Sequence, residues 1–183
     1  MKELIFKSIA AGFLVGVGVV INTLAPNPII GAMLFSVALL AIIKNDLLLY
    51  TGKVGFAMKI PSKTLIVILL GNFIGVVIPV LMMAQKVNLT AIAEVKFSAD
   101  FLSLYFCGIL CGVMMFVAVL SKDTIITVFC IMTFILSGFE HCIADFPYLL
   151  LQFTPENLFK FGWIVLGNSV GSIGFYYLTR GDT

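Results

Sequence analysis

Charge is what this chain has least of, and the shortage excludes most chemistry. Only 11% of its 183 residues are charged, against 61% hydrophobic, and there is one histidine. At a mean hydropathy of +1.17 there is too little polar surface to cover a soluble globule. One histidine and nine acids, with no HExxH pair and no nucleophile, base and acid set, leave an enzyme little to be built from. Cys107, Cys111, Cys130 and Cys142 all fall in apolar runs. A single Cys-x3-Cys spacing without a second pair is a poor metal site, so the cysteines read as buried, reduced filler. No metal, cofactor or nucleic acid partner is expected. Low-complexity tracts and heptad runs are lacking too.

Long apolar runs are abundant. They recur near 8–25, 29–43, 64–84, 101–120, 124–137 and 158–178. Several reach the roughly 20 residues that cross a hydrocarbon core, whereas the second and fifth look interrupted. The expectation is an all-α integral membrane protein of six transmembrane helices, one domain over 1–183, with an uncleaved first helix. Placing the amino terminus inside puts Lys2, Lys7, Lys53, Lys59, Lys63, Lys122 and Arg180 on the cytoplasmic side. Lys86, Lys96 and Lys160 fall outside. That excess predicts two cytoplasmic termini in an inner (plasma) membrane.

Two pairs of strings recur 96 positions apart. Gly12-Phe13-Leu14-Val15-Gly16 returns as Gly108-Ile109-Leu110-Cys111-Gly112, and Leu70-Gly71-Asn72-Phe73-Ile74-Gly75 as Leu166-Gly167-Asn168-Ser169-Val170-Gly171. Small residues at Gly12, Gly16, Gly108 and Gly112 permit close helix approach. Three spans per half make the repeat inverted, over about 1–85 and 97–183, and such folds carry their path at the repeat interface. Helices 2 and 5 each hold a candidate break, at 44–53 and at 137–145, with Pro147 beyond the second. Non-helical backbone at membrane depth must be buried in protein or face a cavity, so both breaks point inward. The segment from Lys86 to Asp100 reads as the outer joint between halves. Asn72 and Asn168 read as supporting residues that cap the breaks or bond loop carbonyls.

The second break contains Glu140, His141 and Asp145 in an otherwise lipid-compatible stretch. Each charge at a bilayer centre costs roughly 2.5–3.5 kcal/mol, which makes an intramembrane cluster a functional candidate. An ordinary histidine titrates near ~6.5, so His141 could give and recover a proton near neutrality. Glu140 reads as satisfying backbone N–H groups or pairing with a lysine, and Asp145 as lying near the outer surface.

These residues resemble the formate/nitrite transporter family. Phe139-Glu140-His141 with Ala144 is similar to that family's Phe-Glu-His-Ser-x-Ala, and Leu49-Tyr50-Thr51-Gly52 to its Leu-Phe-Thr motif. Cys107 to Cys111 is similar to Gly-Ile-x-Cys-Asn, and both Gly-Asn-x-x-Gly strings match as well. The resemblance implies aquaporin-like protomers assembled as a homopentamer and passing small monovalent anions. It implies His141 facing Thr51 across the pore, with Phe35 and Phe134 narrowing it beside Leu39 and Leu49. It also implies Lys96 near the outer vestibule, drawing anions in. Gly112 stands where the family has asparagine, and Leu48 where an acid commonly precedes Leu-Phe-Thr.

The expected function is therefore a channel or transporter for anions of weak acids: formate, nitrite, hydrosulfide or a short carboxylate. A bare anion in low dielectric costs on the order of 20 kcal/mol by the Born estimate, so protonation before an apolar constriction is expected. The sequence leaves two proton sources, His141 or bulk water. Protons and the lipid bilayer are the other partners. Two alternatives remain: a channel for a neutral solute such as water, ammonia or a polyol, and an accessory membrane subunit. Asn27-Pro28 is a partial match to the water-channel Asn-Pro motif. Neutral-solute flux would not depend on pH, and an accessory subunit would show no flux alone.

Overall fold

A computed structural model describes residues 1–180. Their regular structure is entirely helical, with nine α-helices: α1 (Lys2–Leu24), α2 (Pro28–Lys44), α3 (Tyr50–Lys53), α4 (Ser62–Met82), α5 (Thr90–Ser98), α6 (Phe101–Ser121), α7 (Thr124–Leu136), α8 (Cys142–Leu151) and α9 (Pro155–Arg180). A 3-10 turn, Val54–Phe56, follows α3. Four of them, α1, α4, α6 and α9, are long and apolar enough to cross a membrane. Helices α2, α7 and α8 are apolar but shorter.

The nine helices exceed the six expected spans because α3, α5 and α8 lie outside the six apolar runs. Helix α2 stops where Asn45 turns back, its side-chain amide donating to Ala41 O at 2.8 Å, and Asp46 adopts a φ of 50°. The chain then runs without helix to Leu49 and recoils at Tyr50, so the latter part of 44–53 is helical. Helix α7 stops at Ser137, before Gly138 with φ 68°. Helix resumes at Cys142, which places Asp145 and Pro147 inside α8 rather than in or beyond the break. The joint from 86 to 100 likewise contains α5. Asn27 caps α2, accepting from the N–H groups of Ile29 and Ile30.

Two asparagines hold the recoiled segments. Asn72, on α4, accepts from the Tyr50 N–H at 2.8 Å and donates to the carbonyls of Ser8 and Leu48. Asn168, on α9, accepts from the Cys142 N–H at 2.9 Å and donates to the carbonyls of Gly108 and Glu140. Each side chain is fully buried and satisfies three backbone groups at once. The Tyr50 hydroxyl adds a bond of 2.9 Å to the Ser169 hydroxyl, tying α3 to α9.

That arrangement requires α1 to lie against α4, and α6 against α9, at backbone contact. Glycine permits it. A Cβ on Gly12 or Gly112 would run into the Asn72 or Asn168 main chain, and one on Gly171 into that of Ile109. Gly112 is thus a packing residue between α6 and α9.

Three stability outcomes follow. Gly171→Val should destabilise the solubilised protein by at least about 1–3 kcal/mol, the ordinary cost of overpacking. Gly162→Ala, whose new methyl meets nothing within 4 Å, should leave thermal unfolding unchanged or slightly raised. Asn168→Leu should cost roughly 1–3 kcal/mol for each buried backbone group it orphans, read from the same thermal unfolding curves.

Candidate functional site

The end of α7 and the start of α8 aim one ring at the middle of the helix bundle. His141 is the N-cap of α8, and its Nδ1 accepts from the Ala144 N–H at 3.2 Å. A nitrogen that accepts carries no proton, so the neutral ring is protonated at Nε2. Nε2 lies 2.9 Å from the Thr51 hydroxyl of α3, which therefore accepts from it. The N-cap bond of one recoiled helix thus sets the tautomer that reaches the other. His141 is 2% exposed. The Phe134 ring lies nearly parallel to it, with centroids 5.6 Å apart, and Phe35 meets Phe134 edge-on at 6.1 Å.

Of three cavities here, two border this ring and the other shares lining residues with one of them. The first, of about 580 Å³, is bordered by Phe35, Lys96, Phe134, Glu140, His141 and Asp145 among others. The second, of about 590 Å³, is bordered by Leu39, Leu49, Gly52, Phe56 and a set of basic residues. Between them is a void of about 10 Å³ enclosed by Val15, Phe35, Leu39, Leu49, Met115, Ile131, Phe134 and His141. It is at the lower limit for a single water, which needs roughly 10–15 Å³. Phe35, Phe134 and His141 line both the void and the first cavity; Leu39 and Leu49 line both the void and the second.

The charges stand to one side of this void. Lys96 reaches from α5 to pair with Glu140, and with Asp145 at 3.1 Å, while its ammonium lies 5.5 Å from the Tyr148 ring centroid. All three charged side chains are largely buried, at 15% exposure or less. The second carboxylate oxygen of Asp145 is buried with no hydrogen-bond partner among the described residues. The Glu140 carbonyl is held by Asn168. The chain here therefore supplies a cation flanked by two acids at the first cavity, and a neutral, apolar ring of side chains at the void.

The residues expected from sequence are distributed as follows. His141, Phe35, Phe134, Leu39 and Leu49 come together around the void. Thr51 contacts His141 but borders none of these cavities, and it holds the ring in place. Lys96 borders the first cavity with its charge engaged by two carboxylates rather than open. Glu140 pairs with that lysine. Asp145 is buried at 4% exposure, not near the surface. Gly112 borders none of the three cavities. Val15, Met115 and Ile131 are apolar residues in apolar helices and carry no sequence mark. Asp145 and Tyr148 could have been found: with a helix starting after His141, they lie one and two turns on, along one face. Among the described residues no group of three or more His, Cys, Asp or Glu could hold a metal ion.

Comparison with known proteins completes the picture. The solved structure of an FNT family ion channel superposes with a TM-score of 0.80 at 24% identity, covering 98% of this chain and 91% of that one. A pentameric formate channel with formate bound superposes with a TM-score of 0.74 at 20% identity, covering 97% and 96%. At those identities the likeness establishes the fold. No curated protein matches the sequence. The sequence profile of the formate/nitrite transporter family, however, matches residues 1–180. The chain belongs to the formate/nitrite transporter family, as an integral membrane transport protein built on that family's helical fold.

Proposed function

We propose that each protomer is a conduit for small monovalent anions of weak acids, which cross the constriction at His141 in neutral, protonated form. The observation that carries this reading is the sequence of spaces: two cavities near 600 Å³ joined through an almost closed apolar void. An anion in that void would face Phe35, Leu39, Leu49, Met115 and Phe134, none of which can replace its water. A neutral acid needs far less. Its oxygen or sulfur can share the Nε2–H that Thr51 accepts, on the single polar edge among the residues that enclose the void. In this reading the anion enters the first cavity, meets the Lys96, Glu140 and Asp145 cluster, takes up a proton and passes His141 uncharged. Thr51 and the Ala144 N–H keep the ring oriented throughout. Formate, nitrite, hydrosulfide and short carboxylates all satisfy these requirements.

The membrane arrangement belongs to the same proposal. Six spans are α1, α2 with α3, α4, α6, α7 with α8, and α9, so the second and fifth are broken. They form two inverted halves, about 1–85 and 97–183, and the matched roles of Asn72 and Asn168 support this. Both termini lie in the cytoplasm under an inner (plasma) membrane, which puts Lys53, Lys122 and Arg180 on the inner face by the positive-inside rule. The protomers associate as a homopentamer. Support comes from the pentameric channel of the same fold, and from exposed apolar side chains such as Ile66, Leu70 and Ile74 on α4.

Uptake of formate, nitrite and hydrosulfide into proteoliposomes from about pH 5 to 8, spanning the usual histidine range, tests the reading. Acidification raises the neutral fraction of any weak acid, so flux should climb steeply as pH falls. His141→Ala should reduce it by tenfold or more, and by ~100-fold or more where the ring transfers the proton directly. Uptake of these acids that does not change with pH would mean that the anion itself crosses and would overturn passage in neutral form, and no flux of any acid would sink the conduit. Leu39→Ala enlarges the void without touching the ring. It should raise uptake of propionate relative to formate, measured in the same vesicles.

A further inference from the structure

The second cavity carries more positive charge than a monovalent cargo requires. Its inner wall is apolar, with Leu39, Leu49 and Phe56, but Lys44, Lys53, Lys122 and Arg180 border it against a single acid among the described residues, Asp46. Across the constriction the balance reverses, with one lysine against two carboxylates. Lys44, Lys53 and Lys122 form no ion pair among the described residues.

An inside bias of basic residues explains why cations occupy this face, not why four converge on one cavity. Lys2, Lys59 and Lys63 fall on the same side by the same rule and do not border it. The backbone is also turned toward this arrangement. Among the described residues Asp46 and Lys122 are the two non-glycine positions with positive φ, at 50° and 54°, and both border the cavity.

We propose that this basic cavity binds a multivalent phosphate-bearing anion, and that the bound anion closes the path from the inner face. The binding follows from the cavity itself; its effect on flux rests on the conduit reading above. Conduction requires an ion to be held weakly enough to leave. A single charge meets that condition, whereas an anion with several charges engages several lysines together and stays. A volume of about 590 Å³ far exceeds a formate and accommodates a pyrophosphate or an organic phosphate. Leu39 and Leu49 border both this cavity and the constriction, so an occupant lies across the route. The apolar wall beside the basic rim suits a phosphate ester with an organic part. The phosphate can be that of a soluble molecule or of a lipid headgroup, since the chemistry is shared.

The test uses the full chain in phosphatidylcholine vesicles, with formate flux measured at saturating formate and inorganic pyrophosphate supplied on either side. Pyrophosphate should inhibit from the face bearing Lys122, and chloride at equal ionic strength should not. The double variant Lys44→Gln with Lys122→Asn should raise the inhibitory concentration by roughly tenfold or more, given the usual worth of a surface cation. Its uninhibited flux should be unchanged. Asparagine is chosen at 122 because it tolerates the left-handed backbone there. Vesicles containing phosphatidic acid separate the two sources. Flux already reduced in them, and restored by the double variant, identifies a lipid headgroup; inhibition by pyrophosphate with no lipid effect identifies a soluble anion. Calorimetry on the solubilised protein reads binding without transport. Pyrophosphate binding in a protein that passes no acid would uphold this site and overturn the conduit. Flux indifferent to both pyrophosphate and phosphatidic acid, or inhibition that the double variant leaves intact, would overturn the site.

Discussion

Unwinding a helix inside an apolar protein bares N–H and C=O groups that only the protein can satisfy. Here the burden falls on two carboxamides. Asn72 and Asn168 each accept one N–H at the start of a recoiled helix and donate to two carbonyls. An amide is the one uncharged side-chain type that can both accept and donate in this way without a buried charge. The rest of the architecture serves the reach of those amides. Glycines on α1 and α6 bring their backbones against α4 and α9, because any Cβ at Gly12 or Gly112 would strike the asparagine main chain. Close packing and polar satisfaction are therefore one requirement met at two places.

The same fastening positions the site. Asn168 fixes the Glu140 carbonyl and the Cys142 N–H on either side of His141, so the histidine is gripped by its neighbours' backbone. Asn72 does the same around Leu49, between Leu48 and Tyr50. The two recoiled segments thus deliver one imidazole and one leucine to the lining of a shared void. A charge there would lack compensation. The acids and Lys96 remain one step outward, where they neutralise one another in part and border a larger space.

Much of this was legible in residue order. Long apolar runs, glycine pairs, a repeated asparagine and one histidine between acids are each visible without coordinates, because lipid forces every polar residue in a span to have a reason. The repeat was only partly visible. The strings around Asn72 and Asn168 recur at a spacing of 96, but the equivalent N–H donors, Tyr50 and Cys142, are 92 apart (142 − 50). The loops differ by four residues between break and asparagine, so a fixed offset passes over the match. Hydropathy also missed α5, whose nine residues are too mixed in polarity to form an apolar run.

Composition and patterning settle that the chain enters a membrane, and the motif residues settle its family, since both are properties of residue type and local order. They also nominate His141, whose burial cost marks it in any arrangement. Partnership is another matter. That Lys96 is spent on Glu140 and Asp145, that Thr51 steadies the ring without reaching the cavity, and that Met115 closes the void are all contacts between distant segments. Many sequences of the same hydropathy could place those side chains elsewhere. Their positions follow from how closely α1 meets α4 and α6 meets α9, a distance governed by backbone contact and written in no single stretch of the chain.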